Sequence, residues 1–340
     1  MIRFTNDYSE GCHPSILEAL AATNTEGNPG YSMDPHSAHA HELIRAAIGR
    51  PDADVHLLVG GTQTNATAIA AFLRPYEAVI AAVSGHICVH ETGAIEATGH
   101  KCIACPAENG KLTPAAVRAA CAAHTDEHMV RPRMIYVSQT TEIGTLYTLA
   151  ELEALRAVCD ELGLYFYLDG ARLASGLAAG GPSLTDLGRL CDAFYIGGTK
   201  NGALFGEALV ILNPALKPDF RYNIKQRGGM LAKGWLLGVQ FEQLFQGNRY
   251  VELAAHANAL ALKLKEGIAA LGYTFLCDSV TNQQFPILPD EVVAALGQDF
   301  GFEFNCKPDA AHTCIRLVTS WATPEENVDA FLKALAALTK

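Results

Sequence analysis

Short apolar runs recur along the first two-thirds of the chain, and each stops at small or polar residues. Val55–Val59 runs into GGTQTN, Ala78–Val83 into SGH, Lys101–Cys105 into a proline, and RMIYVS into the polar tail Gln139–Glu142. Leu164–Leu168 stops at Asp169, and Ala193–Ile196 stops at Gly197, Gly198, Thr199 and Lys200. Segments with helical spacing fall between them, such as Pro114–Ala123 and Leu149–Gly163. Strand and helix thus alternate from Val55 to Ile196, which predicts an α/β fold built on a parallel, doubly wound sheet. EALVIL, after Lys200, reads as the last strand of that sheet. Ahead of it all lie a helix over Pro14–Thr23, a Gly/Pro/Asn-rich loop over Asn24–Pro35 and a helix over Ser37–Ile48.

From Arg249 the texture changes. A long amphipathic helix, Tyr250–Leu271, precedes short strands in YTFLC, NQQFPIL, FEFNC and TCIRLVTS, with helices between and after them. The expected division is a large domain over residues 1–248 and a smaller α+β domain over 249–340. The first dozen or so residues are expected to pack near the active site or the small domain.

Composition narrows the function classes. With 340 residues, 49% of them apolar and 18% charged, the chain has the make-up of an ordinary globular protein. No window approaches the roughly 18 uncharged apolar residues of a membrane helix. No secretion signal is visible at the N-terminus, so cytoplasmic residence is expected. A formal net charge of −11 argues against nucleic acid as the main partner. Ten scattered cysteines suggest reduced thiols, and the Cys102–Cys105 pair lacks the second pair that a zinc finger needs.

Against that background, Asp169 and Lys200 form the sharpest constellation. Each follows a probable buried strand, at the sheet edge where ligands of open α/β folds bind. An isolated lysine is most often a solvated surface group. The pair, however, suits pyridoxal phosphate, which needs a covalent lysine and a carboxylate for its pyridine nitrogen. The strand–turn–helix around Gly61, Thr62 and Gln63 could receive an anionic tail, since free N–H groups and the helix dipole converge there. His86 follows a strand end on the same edge. With His90 and Glu91 it could alternatively bind metal, although the order is not HExxH and a third ligand is missing. His36, His39 and His41 read as polar surface. Arg221, Lys225, Arg227 and Lys233 cluster around a double glycine in an otherwise acidic protein. Arg316 lies inside an apolar strand and requires an anionic partner, from a substrate carboxylate or an internal salt bridge.

YLDGARL, GGTK, GGTQTN, HICVHETGA and IRLVTSW, together with TTEIGTLY and KQRGGMLAK, resemble the low-specificity threonine aldolase and phenylserine aldolase family. The similarity spans nearly the whole chain. It implies a fold-type-I, aspartate-aminotransferase-like pyridoxal phosphate enzyme with a mostly parallel seven-stranded sheet. It further implies that Lys200 binds the cofactor covalently, Asp169 pairs with the ring nitrogen, His86 stacks on the ring, and Gly61, Thr62 and Gln63 cradle the phosphate. Arg172 and Arg316 would hold the substrate carboxylate, with Asn6 nearby and Arg172 also beside the cofactor. Lys225, Arg227 and Lys233 would reach the phosphate region of a neighbouring subunit in a homodimer or homotetramer. Where many threonine aldolases carry a second active-site histidine, this chain has Thr141. The implied reaction is Cα–Cβ cleavage of a β-hydroxy-α-amino acid, with His86 a candidate base. β-Elimination or transamination on the same scaffold, a metal-dependent hydrolase and a non-catalytic binding module are the alternatives.

Overall fold

A computed structural model describes residues 1–339. Seven strands form the main sheet in the spatial order Asp54–Leu58, Glu207–Ile211, Ala193–Gly197, Tyr165–Asp169, Arg131–Ser138, Glu77–Ala82 and Cys102–Cys105. Glu207–Ile211 is antiparallel to both neighbours, and the other pairings are parallel. It is the last of these strands in the chain but lies second from one edge in space. The reason is the connection: residues 198–206 are too few for the crossover that a parallel partner of Ala193–Gly197 would require.

Successive residues of each strand point to opposite faces, and the sheet buries both. Ile80, Ile135, Val137, Phe166, Leu168, Phe194 and Val210 pack on one side, beneath Ile44, Leu152, Leu155, Leu187 and Phe241 of the covering helices. Val79, Met134, Tyr136, Tyr167, Tyr195 and Leu209 pack on the other, beneath Ala68, Ile69, Phe72 and Phe220. The aromatic residues of YFYLD, AFYIG and MIYVS are thereby divided by period two, which sends Tyr136, Tyr167 and Tyr195 to a single face.

Local signals explain several helix limits. The helix expected from Ser37 begins at Pro35, because Asp34 accepts from the Ser37 N–H at 2.8 Å and proline suits the first helical position. The Leu149–Leu162 helix opens with a capping box between Thr148 and Glu151. The long helix runs Arg249–Ala270.

A second sheet is antiparallel around His312–Val318. NQQFPIL, read as a single strand, is two: Gln283–Gln284 and Pro286–Pro289 pair with His312–Val318 on either side of a break at Phe285, next to a proline with no N–H to donate. A third core of Leu260, Leu264, Ile268, Leu288, Ile315, Leu317, Phe331 and Leu335 fills this region. Ile2–Arg3 pairs with Phe300–Gly301, and Phe4 is buried in the same core. The chain start is therefore fastened to the C-terminal sheet before it turns toward the main one. Among the described residues, no helix is long and apolar enough to cross a membrane.

Candidate active site

A cavity of about 320 Å³ opens at the carboxyl ends of the main-sheet strands. Asp169, Lys200, His86, Arg172, Gly61 and Thr62 line it, together with Tyr8, Ser138, Glu142, Tyr195, Thr199 and Glu207. Two strand ends must lie close to deliver Asp169 and Lys200 to one space. Glycine permits this: a Cβ at Gly170 would lie 1.8 Å from the Tyr195 carbonyl oxygen, and one at Gly197 2.5 Å from that of Ala171. Gly197 is needed for the approach of the neighbouring Gly170–Ala171 backbone, and its N–H donates to the Gly170 carbonyl at 3.0 Å.

Asp169 is 3% exposed and densely solvated by protein. Tyr136 and Tyr195 each donate a hydroxyl to it at 2.5 Å, the Asn65 amide donates at 3.0 Å and the Ala171 N–H at 2.9 Å. Burial alone would push the carboxyl pKa up. The nearby His86 imidazole and these three side-chain donors outweigh it, and the pKa lies below its ordinary value. Asn65 is itself oriented by the Tyr167 hydroxyl at 3.0 Å and donates to Glu91 at 2.8 Å. Glu91 also holds His86 Nδ1 at 2.8 Å. Glu91 thus has a place as the orienting partner of His86, and among the described residues no group of three or more His, Cys, Asp or Glu converges to hold a metal ion.

Lys200 is half-buried and forms no ion pair among the described residues. Burial and the nearby Arg172 cation lower its pKa, against the opposing pull of Asp7, Asp169 and Glu207. Across the cavity, the Gly61–Phe72 helix begins at Gly60 with no side-chain cap, so its first N–H groups remain available at the dipole's positive end. Gly61 and Thr62 face the cavity, whereas Gln63 does not line it. Its amide instead links the Val59 N–H and the Arg227 carbonyl, each at 3.4 Å.

The arginines are placed differently from one another. Arg172 lines the cavity while forming a bidentate pair with Asp7, Nε to Oδ2 at 2.7 Å and Nη2 to Oδ1 at 3.0 Å. Arg316 does not line it and pairs with Glu303, its register partner on the neighbouring strand. Asn6 is also outside the lining, accepting from the Tyr8 N–H and the Ser9 hydroxyl at 3.0 Å each. Lys225 and Lys233 are exposed, Lys225 lying 4.6 Å from the Tyr31 ring centroid, and Arg227 is partly buried. None of these three reaches the cavity of its own chain.

Sequence reasoning passed over Tyr136, Tyr195, Asn65, Glu142, Glu207 and Asp7. The two tyrosines belong to different strands, and only strand order and register set them on one face beside Asp169. At the end of Arg131–Ser138, Thr141 is buried against Thr145 at 2.7 Å, while Ser138, Thr140 and Glu142 line the cavity. Glu142 accepts from the His86 N–H at 2.9 Å and the Ser138 hydroxyl at 2.6 Å, and burial raises its pKa.

Comparison with known proteins adds an independent observation. Residues 5–290 match the beta-eliminating lyase family. The low specificity L-threonine aldolase of Pseudomonas aeruginosa is 33% identical over 299 residues, covering 86% of this chain and 86% of that protein. A threonine aldolase structure from Leishmania major superposes with a TM-score of 0.99 at 50% identity, covering 100% of both chains. A single mutant of Thermus thermophilus aspartate aminotransferase shares the fold, with a TM-score of 0.74 at 20% identity over 99% of this chain and 91% of that one.

Proposed function

Because the chain belongs to the beta-eliminating lyase family, on its threonine aldolase side, we propose that the cavity holds pyridoxal phosphate and cleaves the Cα–Cβ bond of β-hydroxy-α-amino acids. The products are glycine and an aldehyde. One observation carries the reading: a buried carboxylate kept ionised by protein donors and an unpaired lysine of lowered pKa open onto the same cavity.

The residues present fit the cofactor. Asp169 supplies a buried anion suited to a protonated ring nitrogen, and the uncapped helix after Gly60 supplies N–H donors for a phosphate. Lys200 supplies an amine for the covalent link. When bound, pyridoxal phosphate provides an electron sink for the pair released as a bond to Cα breaks.

The chain's own groups do the rest. Arg172 orients the substrate carboxylate with whatever guanidinium edge Asp7 leaves free, a pairing that fixes direction as well as affinity. Arg316 and Asn6 assist in this reading, which requires Arg316 to exchange Glu303 for substrate. His86, which lines the cavity, would lie against the ring. Its Nδ1 is engaged by Glu91, and Nε2, which has no protein partner among the described residues, is left to accept the substrate hydroxyl proton. Gly61 and Thr62 would hold the phosphate, with Gln63 supporting their turn.

The exposed Lys225 and Lys233, with Arg227, support a homo-oligomer in which these cations reach the phosphate of a neighbouring copy. A boundary at residues 248/249 separates the main sheet from the region around the third core. The ten unpaired thiols support a reducing, cytoplasmic setting. Incubating the yellow, cofactor-loaded protein with threonine tests the reaction: glycine plus acetaldehyde supports it, and ammonia plus a keto acid would assign β-elimination instead.

A further inference from the structure

The two strands that carry Arg316 and Glu303 also carry a pair of thiols. Glu303–Cys306 runs antiparallel to His312–Val318 in the second sheet, and Cys306 is the register partner of Cys314. Residues directly opposite in an antiparallel pair have Cα atoms roughly 4.5–5.5 Å apart. A disulfide spans about 4.4–6.8 Å between Cα atoms, so the backbone already stands where the bond needs it. Asn305 has no register partner and is the extra residue of a bulge between Phe304 and Cys306. Its Nδ2 lies 3.6 Å from Cys306 Sγ and 3.8 Å from Cys314 Sγ. One amide touching both sulfurs puts them on the same side of the strand pair. Cys277 is the third thiol nearby, but it donates to the Ile143 carbonyl at 3.1 Å and lies outside both strands.

The two thiols are not equivalent. Cys306 is partly exposed and Cys314 is buried, so an oxidant in solution meets Cys306 first. Burial, and after it the charge of Cys306, pushes the Cys314 thiol up to about 12. The second cause vanishes once the Cys306 sulfur is bonded to another sulfur and carries no charge. Cys314 is thus a better nucleophile after its partner has reacted than before.

We propose that Cys306 and Cys314 close into a reversible disulfide on meeting a low-molecular-weight disulfide such as oxidised glutathione, and that closure holds Glu303 against Arg316. The Cys306 thiolate attacks one sulfur of the small disulfide; a new S–S bond forms, the old one breaks, and one thiolate leaves with the electron pair. Cys314 then gives up its proton, and its sulfur attacks Cys306 Sγ. The second small thiol leaves and takes that proton. The two cysteines lose two electrons and the small disulfide gains them. Excess reduced thiol runs the same steps backwards.

Cys314 and Arg316 are two apart on one strand and share a face, and so do their opposite partners Cys306 and Glu303. A covalent link at one cross-strand pair therefore restrains the next. Glu303 bonds Arg316 through Nη2, while Nε is buried without a partner among the described residues. The arginine thus keeps capacity for another acceptor. In the aldolase reading, on which this second half rests, Arg316 exchanges Glu303 for the substrate carboxylate, and the closed disulfide opposes that exchange.

The test incubates the cofactor-loaded, full-length protein in glutathione buffers of increasing oxidised share, then blocks free thiols. Cleavage before aspartate parts Cys277, Cys306 and Cys314, since Asp278, Asp290, Asp299 and Asp309 fall between them. Mass mapping should find the Cys306 and Cys314 peptides joined, and separate again after dithiothreitol. Both cysteines still free in the most oxidising buffer, or either joined to Cys277 instead, overturns the proposal. The oxidised protein should show a threonine KM raised about fivefold or more, the low end of coupling between two sites, restored by dithiothreitol. Cys306→Ser should keep the reduced wild-type KM in every buffer. A mapped disulfide with an unchanged KM, or an equal KM shift in Cys306→Ser, overturns the link to Arg316. Reduced wild type that cleaves no threonine would sink the aldolase reading instead, and the peptide map still decides the thiol pair.

Discussion

The Asp7 carboxylate closes bidentately on the Arg172 guanidinium, at 2.7 and 3.0 Å, across 165 positions of sequence. Asp7 sits at the end of a strand-like strap whose Phe4 is buried among the third core, and Arg172 follows Asp169 by three residues. The pair therefore ties the region that carries Arg316 to the cavity that carries Lys200.

Replacing Asp7 leaves a buried cation without its partner. Asp7→Ala should cost about 3 kcal/mol or more of stability, the scale of a broken buried pair, and urea unfolding monitored by fluorescence would measure it. The pH dependence has a definite sign. Despite burial, Arg172 and Lys200 hold the Asp7 pKa below its ordinary value, so its stabilisation is present above the unfolded carboxylate range and is lost as pH falls through the lower folded value. The stability gap between wild type and Asp7→Asn should shrink as the pH drops below about 4.

Removing one donor from Asp169 should weaken the cofactor without abolishing it. Tyr136→Phe and Tyr195→Phe each delete a bond to a buried charge, on the order of 1.5 kcal/mol, or roughly a tenfold loss in pyridoxal phosphate affinity. The Asp169 pKa should rise in both. Equilibrium dialysis of the cofactor checks the first claim, and unchanged affinity in both variants would remove the tyrosines from the account.

Glu142 fixes the His86 backbone from the adjoining strand end. Glu142→Ala should lower kcat on the order of tenfold to a hundredfold, as expected for a displaced catalytic group, with the cofactor spectrum retained. A parallel fall in cofactor content would show instead that Glu142 supports binding.

Arg316→Ala should raise the threonine KM by about tenfold or more, as loss of a charged carboxylate contact predicts, with kcat much less affected. A wild-type KM would leave Arg316 as the structural partner of Glu303 alone.

If the cations of one copy serve the site of another, inactive subunits should rescue each other. Protein lacking Lys200, mixed and reassembled with protein lacking Lys225 and Lys233, should regain activity from hybrid sites that inherit both intact sets. No recovery under conditions that exchange subunits would place those cations outside the site.

Much of this was legible in the sequence because strand ends announce themselves. Asp169 and Lys200 terminate apolar runs, and the parallel sheet makes such termini converge on one edge. The shell around them was hidden for a different reason: Tyr136, Tyr167 and Tyr195 look like ordinary core aromatics until strand order sets them side by side. Asp7 and Asn282 are too distant in sequence from Arg172 for spacing to relate them. Glu207 reads as the polar first residue of a strand, and only its antiparallel placement between Leu58 and Gly197 brings it to the cavity. The pairing of Arg316 with Glu303 needed the strand register that no periodicity supplies.

The most direct test of the central claim is chemical. The cofactor-loaded protein is treated with borohydride to make the lysine link permanent, digested, and its peptides are mapped by mass. The account predicts the reduced pyridoxyl group on the peptide containing Lys200, and its loss, together with the yellow colour and the threonine cleavage, in Lys200→Ala. Pyridoxyl label on a different lysine, or a coloured and active Lys200→Ala protein, would contradict it.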